Sequence, residues 1–391
     1  MRIVIAGDFP EQPPNVVGGI QAIIYFTLLR LADYPNLDLH VVSCEKWGNA
    51  AQPGSWVLNG NGWKAHYIHS SPRIPHTLSF MTIDRLKIRQ AIHQISPDII
   101  HAHGQAAAYP WAAFDSHIPT VITVQGINSM EARLDPRGGR LRGWLRFFVW
   151  DKIEKACLHR AADIVITGPF QADVIRPYTQ ARFHWIENPV QEELFQIPLN
   201  SGIPGQILFV GSIQKRKGLA DLIKAVAILG NIQPEVNIRV AGGFMQPYAE
   251  YGEYIRSLIQ QHNLGDRIHL LGHLGREALL KEFEKCSIFC LPTYLEGSPV
   301  AIAEAMAAGR PIITTAIEST AHLITEGITG FRVPTGDYQI LADRLRSILT
   351  NVNLQRTVSM GARQEAQKRF SPTTAAESTK NMYTQILDGK G

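Results

Sequence analysis

The sequence has little cysteine and no long apolar run. Four cysteines in 391 residues are too few and too scattered for a disulfide framework, which favours a reducing compartment. No apolar run is long enough to span a bilayer, and the apolar start before Asp8 is too short for a secretory signal. We therefore expect a cytoplasmic protein. Cys286 and Cys290 stand at strand spacing with no second Cys or His pair to complete a zinc site, so we expect them to pack in a core.

Charged residues are also sparse, at 18% of the chain against 45% hydrophobic residues. The net charge of +4 is mild, and the composition does not suggest a nucleic-acid-binding protein. No Asp-x-Asp pair occurs, so we expect no metal ion to hold a diphosphate, and no resident cofactor. The apolar content is enough to fill a core, and a chain of this length is expected to form two domains.

Short apolar runs alternate with amphipathic stretches along the sequence, which predicts an α/β protein with parallel sheets covered by helices. Two series of such runs follow one another, as two Rossmann-like units would give. The predicted strands are Ile3–Gly7, Leu39–Ser43, Ile99–His103, Val121–Val124 and Ile164–Thr167, then Ile207–Gly211, Ile238–Ala241, Ile268–Leu271, Ile288–Leu291 and Ile312–Thr315.

A Pro/Gly-rich stretch without periodicity separates the two series and predicts an interdomain linker at 197–205. The domains predicted on either side are residues 1–196 and 206–370, each a doubly wound parallel sheet. Residues 371–391 are predicted to form a separate helix, because Pro372 suits a first helical turn. In sheets of this kind, ligands bind beyond the carboxyl ends of the strands.

The most informative segment follows the predicted strand Ile288–Leu291. Ser298 is a suitable N-cap and Pro299 suits the first helical position, so a helix is predicted to begin there. Its N–H groups and positive dipole end would offer an anion site suited to a diphosphate. Glu304 is a lone carboxylate in this otherwise apolar helix. Facing water is the ordinary explanation for it, and contact with a ligand is the alternative.

Seven residues separate Glu296 from Glu304, and the pair resembles the paired-glutamate motif of retaining glycosyltransferase family 4. The surrounding text, EGSP, EAMAAGRPII and TEGITGFRVPTGD, is similar to that family as well. The resemblance implies the GT-B fold, in which two Rossmann-like domains face a central cleft. It also implies that Glu304 holds the ribose of a nucleotide-sugar donor and that Glu296 lies near the transferred sugar. The diphosphate would be held by the backbone of Gly297, Ser298, Pro299 and Val300.

A cationic turn after the predicted strand Ile207–Gly211 supports the same site. Its three cations could be a solvated surface run, but their place at the carboxyl end of a domain's first strand favours phosphate binding. In the family a lysine usually stands just before the next glycine, which Lys217 matches, and an arginine stands where this chain has Ser212. Arg216 or Lys215 would have to supply the missing positive contact. Ser212, Arg216 and Lys217 are thus the expected donor contacts of this turn.

The resemblance places the acceptor and one wall of the donor site in the first half. Gly18 and Gly19 begin the first helix, in a loop that closes over the donor phosphate in the family. His103 ends a strand on the same side as His101, and the family often has His-x-His here, although a structural role is ordinary for either. Gln125 stands where the family commonly has a histidine that contacts the transferred sugar. We expect Gln125 to act by hydrogen bonding, because an amide cannot carry a proton as imidazole does.

Residues 137–150, RGGRLRGWLRFFVW, are the most basic and aromatic stretch of the chain. A helical stripe predicts a core-facing side formed by Leu141, Trp144, Leu145 and Phe148. The opposite side carries two cations and an aromatic residue that the core does not need: Arg142, Arg146 and Trp150. Such a combination suits an anionic membrane surface. The alternative is a segment that only packs in the core.

The resemblance covers nearly the whole chain. It implies a metal-independent, retaining hexosyltransferase that uses a UDP- or GDP-sugar and acts on a glycan, lipid-linked or small-molecule acceptor. A nucleotide-sugar epimerase on the same scaffold is one alternative, which the paired glutamates argue against. A non-catalytic donor-binding partner in glycan assembly is another, because Ser212 and Gln125 depart from the family's pattern. The expected location is the cytoplasm, including the inner face of the membrane.

Overall fold

The computed structural model describes residues 1–16, 18–45, 56–69, 81–105, 108–127, 130, 140–199, 201–230, 232–244 and 249–389, with the backbone alone at 45, 140–147 and 249. The chain forms two compact units. The first contains residues 1–189 together with 372–391, and the second contains residues 190–371.

The first unit is built on an eight-stranded sheet. Its strands are β1 (Arg2–Ala6), β2 (Asp38–Glu45), β3 (Trp56–Asn59), β4 (Trp63–His69), β5 (Ile99–His103), β6 (Thr120–Thr123), β7 (Asp163–Ile166) and β8 (Arg182–Trp185). They pair in the order β3-β4-β2-β1-β5-β6-β7-β8, and only β3 with β4 is antiparallel. The helices between them are α1 (Gly19–Leu31), α2 (Thr82–Ile95), α3 (Ala108–Phe114), α4 (Arg140–Arg160) and α5 (Pro169–Ile175). Helices α2 to α5 bury one face of the sheet, and α1 buries the other.

The second unit is a six-stranded sheet in which every pair of strands is parallel. Its strands are β9 (Gln206–Val210), β10 (Asn237–Ala241), β11 (Ile268–Gly272), β12 (Ile288–Leu291), β13 (Ile312–Thr315) and β14 (Phe331–Val333). The order β11-β10-β9-β12-β13-β14 is that of a doubly wound dinucleotide-binding sheet, with the strand order reversing between β9 and β12. Its helices are α6 (Leu219–Leu229), α7 (Ala249–Gln261), α8 (Arg276–Lys285), α9 (Val300–Ala307), α10 (Glu318–Ala321), α11 (Tyr338–Leu349) and α12 (Val352–Arg369).

All ten strands predicted from the sequence are present, with ends shifted by a residue or two at most. The predicted parallel α/β fold is therefore confirmed, and Cys286 and Cys290 are fully buried as expected. The sequence did not indicate β3, β4, β8 and β14. Three of these are the edge strands of their sheets, and polar residues interrupt β4 and β8, so their apolar periodicity is weak.

The boundary between the units falls at 189/190, before the predicted linker at 197–205. Residues 190–197 belong to the second unit because their apolar side chains, Val190, Leu194 and Ile197, are buried in its core. Two arginines hold the chain that follows, the half-buried Arg363 and the buried Arg310. Arg363 donates to the carbonyls of Phe195 and Ile197 at 2.6 and 2.7 Å, and Arg310 donates to that of Pro198 at 2.8 Å.

The last helix, α13 (Pro372–Asp388), belongs to the first unit and packs against α1. Its Tyr383 is fully buried, and the Tyr383 hydroxyl lies 2.7 Å from His101 Nδ1. His101 Nε2 lies 2.5 Å from Thr123 Oγ1, so this imidazole joins α13 to the sheet. Burial lowers the pKa of His101 well below its ordinary value, and the ring is therefore a neutral structural group. Within the described ranges, no helix is long and apolar enough to cross a membrane.

Candidate functional site

Two turns of the second unit meet at the carboxyl ends of β9 and β12, where the strand order reverses. Lys217 Nζ, in the first turn, lies 2.6 Å from Glu296 Oε1 in the second, and both side chains are largely buried. Arg216 Nη1 donates to the carbonyl of Leu295 at 3.1 Å and lies 3.6 Å from Glu296 Oε2. Glu296 is therefore a buried carboxylate held beside two cations.

Backbone contacts hold the two turns together. The Tyr294 N–H and the Thr293 hydroxyl both donate to the carbonyl of Arg216, at 2.7 and 2.9 Å. Gly218 follows with a φ of 73°, and a Cβ at this position would collide with the Pro292 carbonyl. Glycine is thus required for α6 to begin directly behind the cationic turn.

Ser212, which stands where the family has an arginine, and the two cations considered as its substitutes, Lys215 and Arg216, differ in their surroundings. Ser212 Oγ accepts a hydrogen bond from Gln214 Nε2 at 2.5 Å, and Lys215 is exposed. Arg216 is the one that the fold brings to Glu296. The role of Ser212, Arg216 and Lys217 in holding a donor stays a prediction.

Helix α9 begins one residue later than the sequence predicts. Pro299 is the N-cap, with a non-helical ψ of 70°, and no side chain caps the helix. The reason is a tight turn, in which the Val300 N–H donates to the Ser298 carbonyl at 2.9 Å. The assignment of Ser298 as N-cap and Pro299 as first helical residue was therefore wrong, although the Gly297–Val300 turn does lead into a helix at this strand end.

Glu304 lies on the one side of α9 that is not buried, together with Val300 and Ala301. Its neighbours Ala303 and Ala305 are buried. Among the described residues, the Glu304 carboxylate has no hydrogen bond or ion pair. Removal of water by the surrounding protein raises the pKa of Glu304 to about 7. The chain therefore keeps a partly desolvated carboxylate without a partner, which is costly unless a ligand uses it.

In the first unit, three side chains form a chain of hydrogen bonds at the ends of β5 and β6. Asn188 Nδ2 donates to Gln125 Oε1 at 3.4 Å, and Gln125 Nε2 lies 3.2 Å from His103 Nδ1. An amide nitrogen can only donate, so His103 Nδ1 accepts and the ring proton is on Nε2. Burial lowers the pKa of His103 to about 3, which keeps this imidazole neutral. Asn188, which stands shortly after β8, was assigned no role from the sequence, because β8 itself was not predicted.

Glycines stand just after β1 and at the start of α1 in the first unit. Gly18 has a φ of 99°, α1 begins at Gly19, and both residues are exposed; apart from their chain neighbours, no described atom lies within 4 Å of an added Cβ. Gly7, which was not singled out from the sequence, follows β1, and a Cβ added there would lie 2.6 Å from Ile24 Cδ1 and 3.1 Å from His103 Cβ. The absence of a side chain at Gly7 thus leaves room for that imidazole.

The basic and aromatic helix α4 differs from its prediction at Phe148. This residue was expected in the core, but 46% of it is exposed. Trp150 is partly exposed, and the side chains of Arg142, Arg146, Leu141, Trp144 and Leu145 lie outside the described residues. In the part of the chain that the structure describes, no group of three or more His, Cys, Asp or Glu side chains is placed to hold a metal ion.

Two family models match this chain. Residues 17–194 match the model described as Glycosyltransferase Family 4, and residues 190–365 match that of Glycosyl transferases group 1. Glycogen synthase from Mycobacterium tuberculosis is 23% identical over 415 residues, which cover 100% of this chain and 96% of that protein.

Solved structures are similar over the full length. Sucrose-phosphate synthase from Thermosynechococcus elongatus gives a TM-score of 0.79 at 20% identity, covering 99% of both chains. Anabaena HepE, in a complex with UDP-glucose, gives 0.71 at 17% identity, covering 98% of this chain and 100% of that one. At these identities the likeness is one of fold.

Proposed function

The chain belongs to the group 1 glycosyltransferases of family 4 and has their GT-B fold, and on that basis we propose that it moves a hexosyl group from a nucleotide-sugar donor to an acceptor. The observation that carries this proposal is the cluster of Lys217, Arg216 and Glu296, which lies next to the turn that leads into α9. Glu304, which pairs with none of the described residues, lies on the unburied side of the same helix.

The cluster suits the diphosphate of a nucleoside diphosphate, and Glu304 suits its ribose. A donor diphosphate competes with Glu296 for Lys217 and Arg216, and the start of α9 adds backbone N–H groups and a positive dipole end. Glu304 accepts hydrogen bonds from the ribose hydroxyls, which gives its carboxylate a partner that none of the described residues supplies. Uridine and guanosine donors both fit this description, and the UDP-glucose complex of HepE supports a uridine donor.

The first unit supplies neutral hydrogen-bonding groups for the transferred sugar. The amide of Gln125 is oriented by Asn188 and His103, and the Nε2–H of His103 is a donor suited to a sugar hydroxyl. Neither residue is suited to proton transfer, since the pKa of His103 is lowered to about 3.

The reaction we propose is transfer with retention at the anomeric carbon. The bond from that carbon to the diphosphate oxygen breaks, and the bond to the acceptor oxygen forms on the same face. The acceptor proton passes to the departing diphosphate, so no protein base is needed. Catalysis then consists of positioning and of electrostatic stabilisation of the leaving group, without a metal ion.

A donor panel tests the proposal. UDP-glucose, GDP-mannose and other nucleotide sugars are added to the protein, and the unfolding temperature and donor consumption are measured with and without candidate acceptors. A donor at 100 times its Kd adds about 2.7 kcal/mol of stability. We expect one donor to stabilise the protein and to be consumed only with an acceptor. Interconversion of the donor alone indicates an epimerase, and binding without turnover for any acceptor class indicates a non-catalytic partner.

A further inference from the structure

An apolar pocket of about 390 Å³ lies in the first unit, between α2, α3 and α4. Its volume falls in the range of pockets that bind small molecules. Two cationic residues, Arg85 and Lys152, line it, and its other described lining residues are aliphatic or aromatic: Met81, Trp111, Phe148, Val149, Ile153 and Ala156. None of them belongs to the cluster or the hydrogen-bond chain described above.

The aromatic wall of this pocket is held in place before any ligand binds. The guanidinium groups of Arg85 and Arg160 both lie over the Trp111 ring, 5.1 and 5.3 Å from its centroid. Both also bond to the Asp115 carboxylate, at 2.6 and 3.0 Å. Two guanidinium groups therefore pack on the indole, and both arginines already have an anionic partner.

Lys152 is the remaining cation that lines the pocket. It is exposed, and its ammonium lies 5.3 Å from the centroid of the Phe148 ring. Within the described residues it has no carboxylate partner. In addition, the sequence of residues 137–150, which overlaps the beginning of α4, contains four arginines and no acidic residue. The pocket thus combines an apolar interior with an exposed cation that pairs with none of the described carboxylates.

We propose that this pocket binds the hydrocarbon chain of a phosphate-headed lipid, with the phosphate at Lys152. Such an amphiphile matches both parts of the site, because the chain replaces water against Phe148, Val149 and Ile153 while the head group stays at the exposed ammonium. The exposure of Phe148, which its helical position does not predict, follows from this role. The proposal concerns binding in the first unit and does not depend on which donor the second unit uses.

Calorimetry with decyl phosphate tests the proposal on the full chain. Each buried methylene strengthens binding about fourfold, so butyl phosphate should bind too weakly to detect. Decyl maltoside, which has the same chain with a neutral head, should bind more weakly than decyl phosphate. Phe148→Ser should weaken decyl phosphate by at least tenfold, whereas Leu86→Ser, at an exposed residue of α2 outside the pocket, should leave it unchanged.

Lys152→Gln separates the head-group contact from the chain. We expect it to weaken decyl phosphate about threefold without changing the affinity for decyl maltoside, since exposed ion pairs are weak. Equal losses for Phe148→Ser and Leu86→Ser would overturn the proposal, as would wild-type affinity in Phe148→Ser protein. Concentration-dependent dimerisation that Phe148→Ser abolishes, with no binding of decyl phosphate, would assign the pocket to a second copy of the chain instead.

Discussion

Glu304 gives the donor site a pH dependence near neutrality. Its pKa in the folded chain is about 7, and hydroxyl donors of a ribose bind the ionised carboxylate better than the protonated acid. Donor affinity should therefore rise with pH through this range. We expect UDP-glucose, whose phosphates do not titrate there, to bind about tenfold more weakly at pH 6 than at pH 8 by calorimetry.

Glu304→Gln is the matched control, because it keeps the shape of the side chain and removes its titration. The variant should bind with the same affinity at both pH values. The folded chain retains a proton that the unfolded chain releases between about pH 4.5 and 7, so wild-type stability falls as the pH rises through this window. The variant should consequently be more stable than wild type at pH 8, by about 2 kcal/mol after discounting for partial exposure. Parallel profiles for the two proteins would contradict the assignment.

Gln125 is expected to contact the transferred sugar by hydrogen bonding. Removing one neutral hydrogen bond to a buried partner costs about 1–3 kcal/mol, which corresponds to a tenfold to hundredfold loss of turnover. Gln125→Ala should show this loss with unchanged affinity for the nucleoside diphosphate, and Gln125→His should recover part of the rate. Asn188→Ala should lose less, since Asn188 only orients the amide. Wild-type turnover in Gln125→Ala enzyme would make Gln125 structural and leave His103 as the candidate.

At the scale of elements, Arg310 holds the segment that enters the second unit. It is 2% exposed and donates to the carbonyls of Ala308, Cys286 and Pro198 and to the hydroxyl of Ser201. Arg310→Met should leave these acceptors unpaired and lower the free energy of unfolding by at least about 3 kcal/mol. Arg346→Met, at an exposed arginine paired within its own helix, should cost less than about 0.5 kcal/mol. Equal urea midpoints for the two variants would refute this role.

The sequence predicts the central strands because they are buried on both faces and read as continuous apolar runs, such as Ile288–Leu291. It does not predict the edge strand β8, where polar residues weaken the signal. The same limit applies to the candidate site. The spacing of Glu296 and Glu304 is visible in the sequence, but the ion pair of Glu296 with Lys217 joins residues 79 positions apart. Only the strand order that places β9 beside β12 creates that contact.

For the whole molecule, we expect activity to persist in excess EDTA. The leaving diphosphate is neutralised in our proposal by Lys217, Arg216 and a helix start, and the sequence has no Asp-x-Asp pair to hold a divalent ion. Turnover of the preferred donor is measured with and without chelator, and then with added magnesium or manganese. A loss on chelation that either ion restores would replace the metal-free mechanism.

The membership of α13 in the first unit has a consequence for how the protein is made. The ribosome releases the first unit's sheet early, but Met382, Tyr383 and Ile386 of its core follow the whole of the second unit in the chain. The second unit, contained in residues 190–371, is complete before them. The part of the chain that is translated first should therefore finish folding last. A nascent chain stalled at Ser371 should yield a protease-resistant second unit and a sensitive first unit, and resistance of both would show that α13 is dispensable.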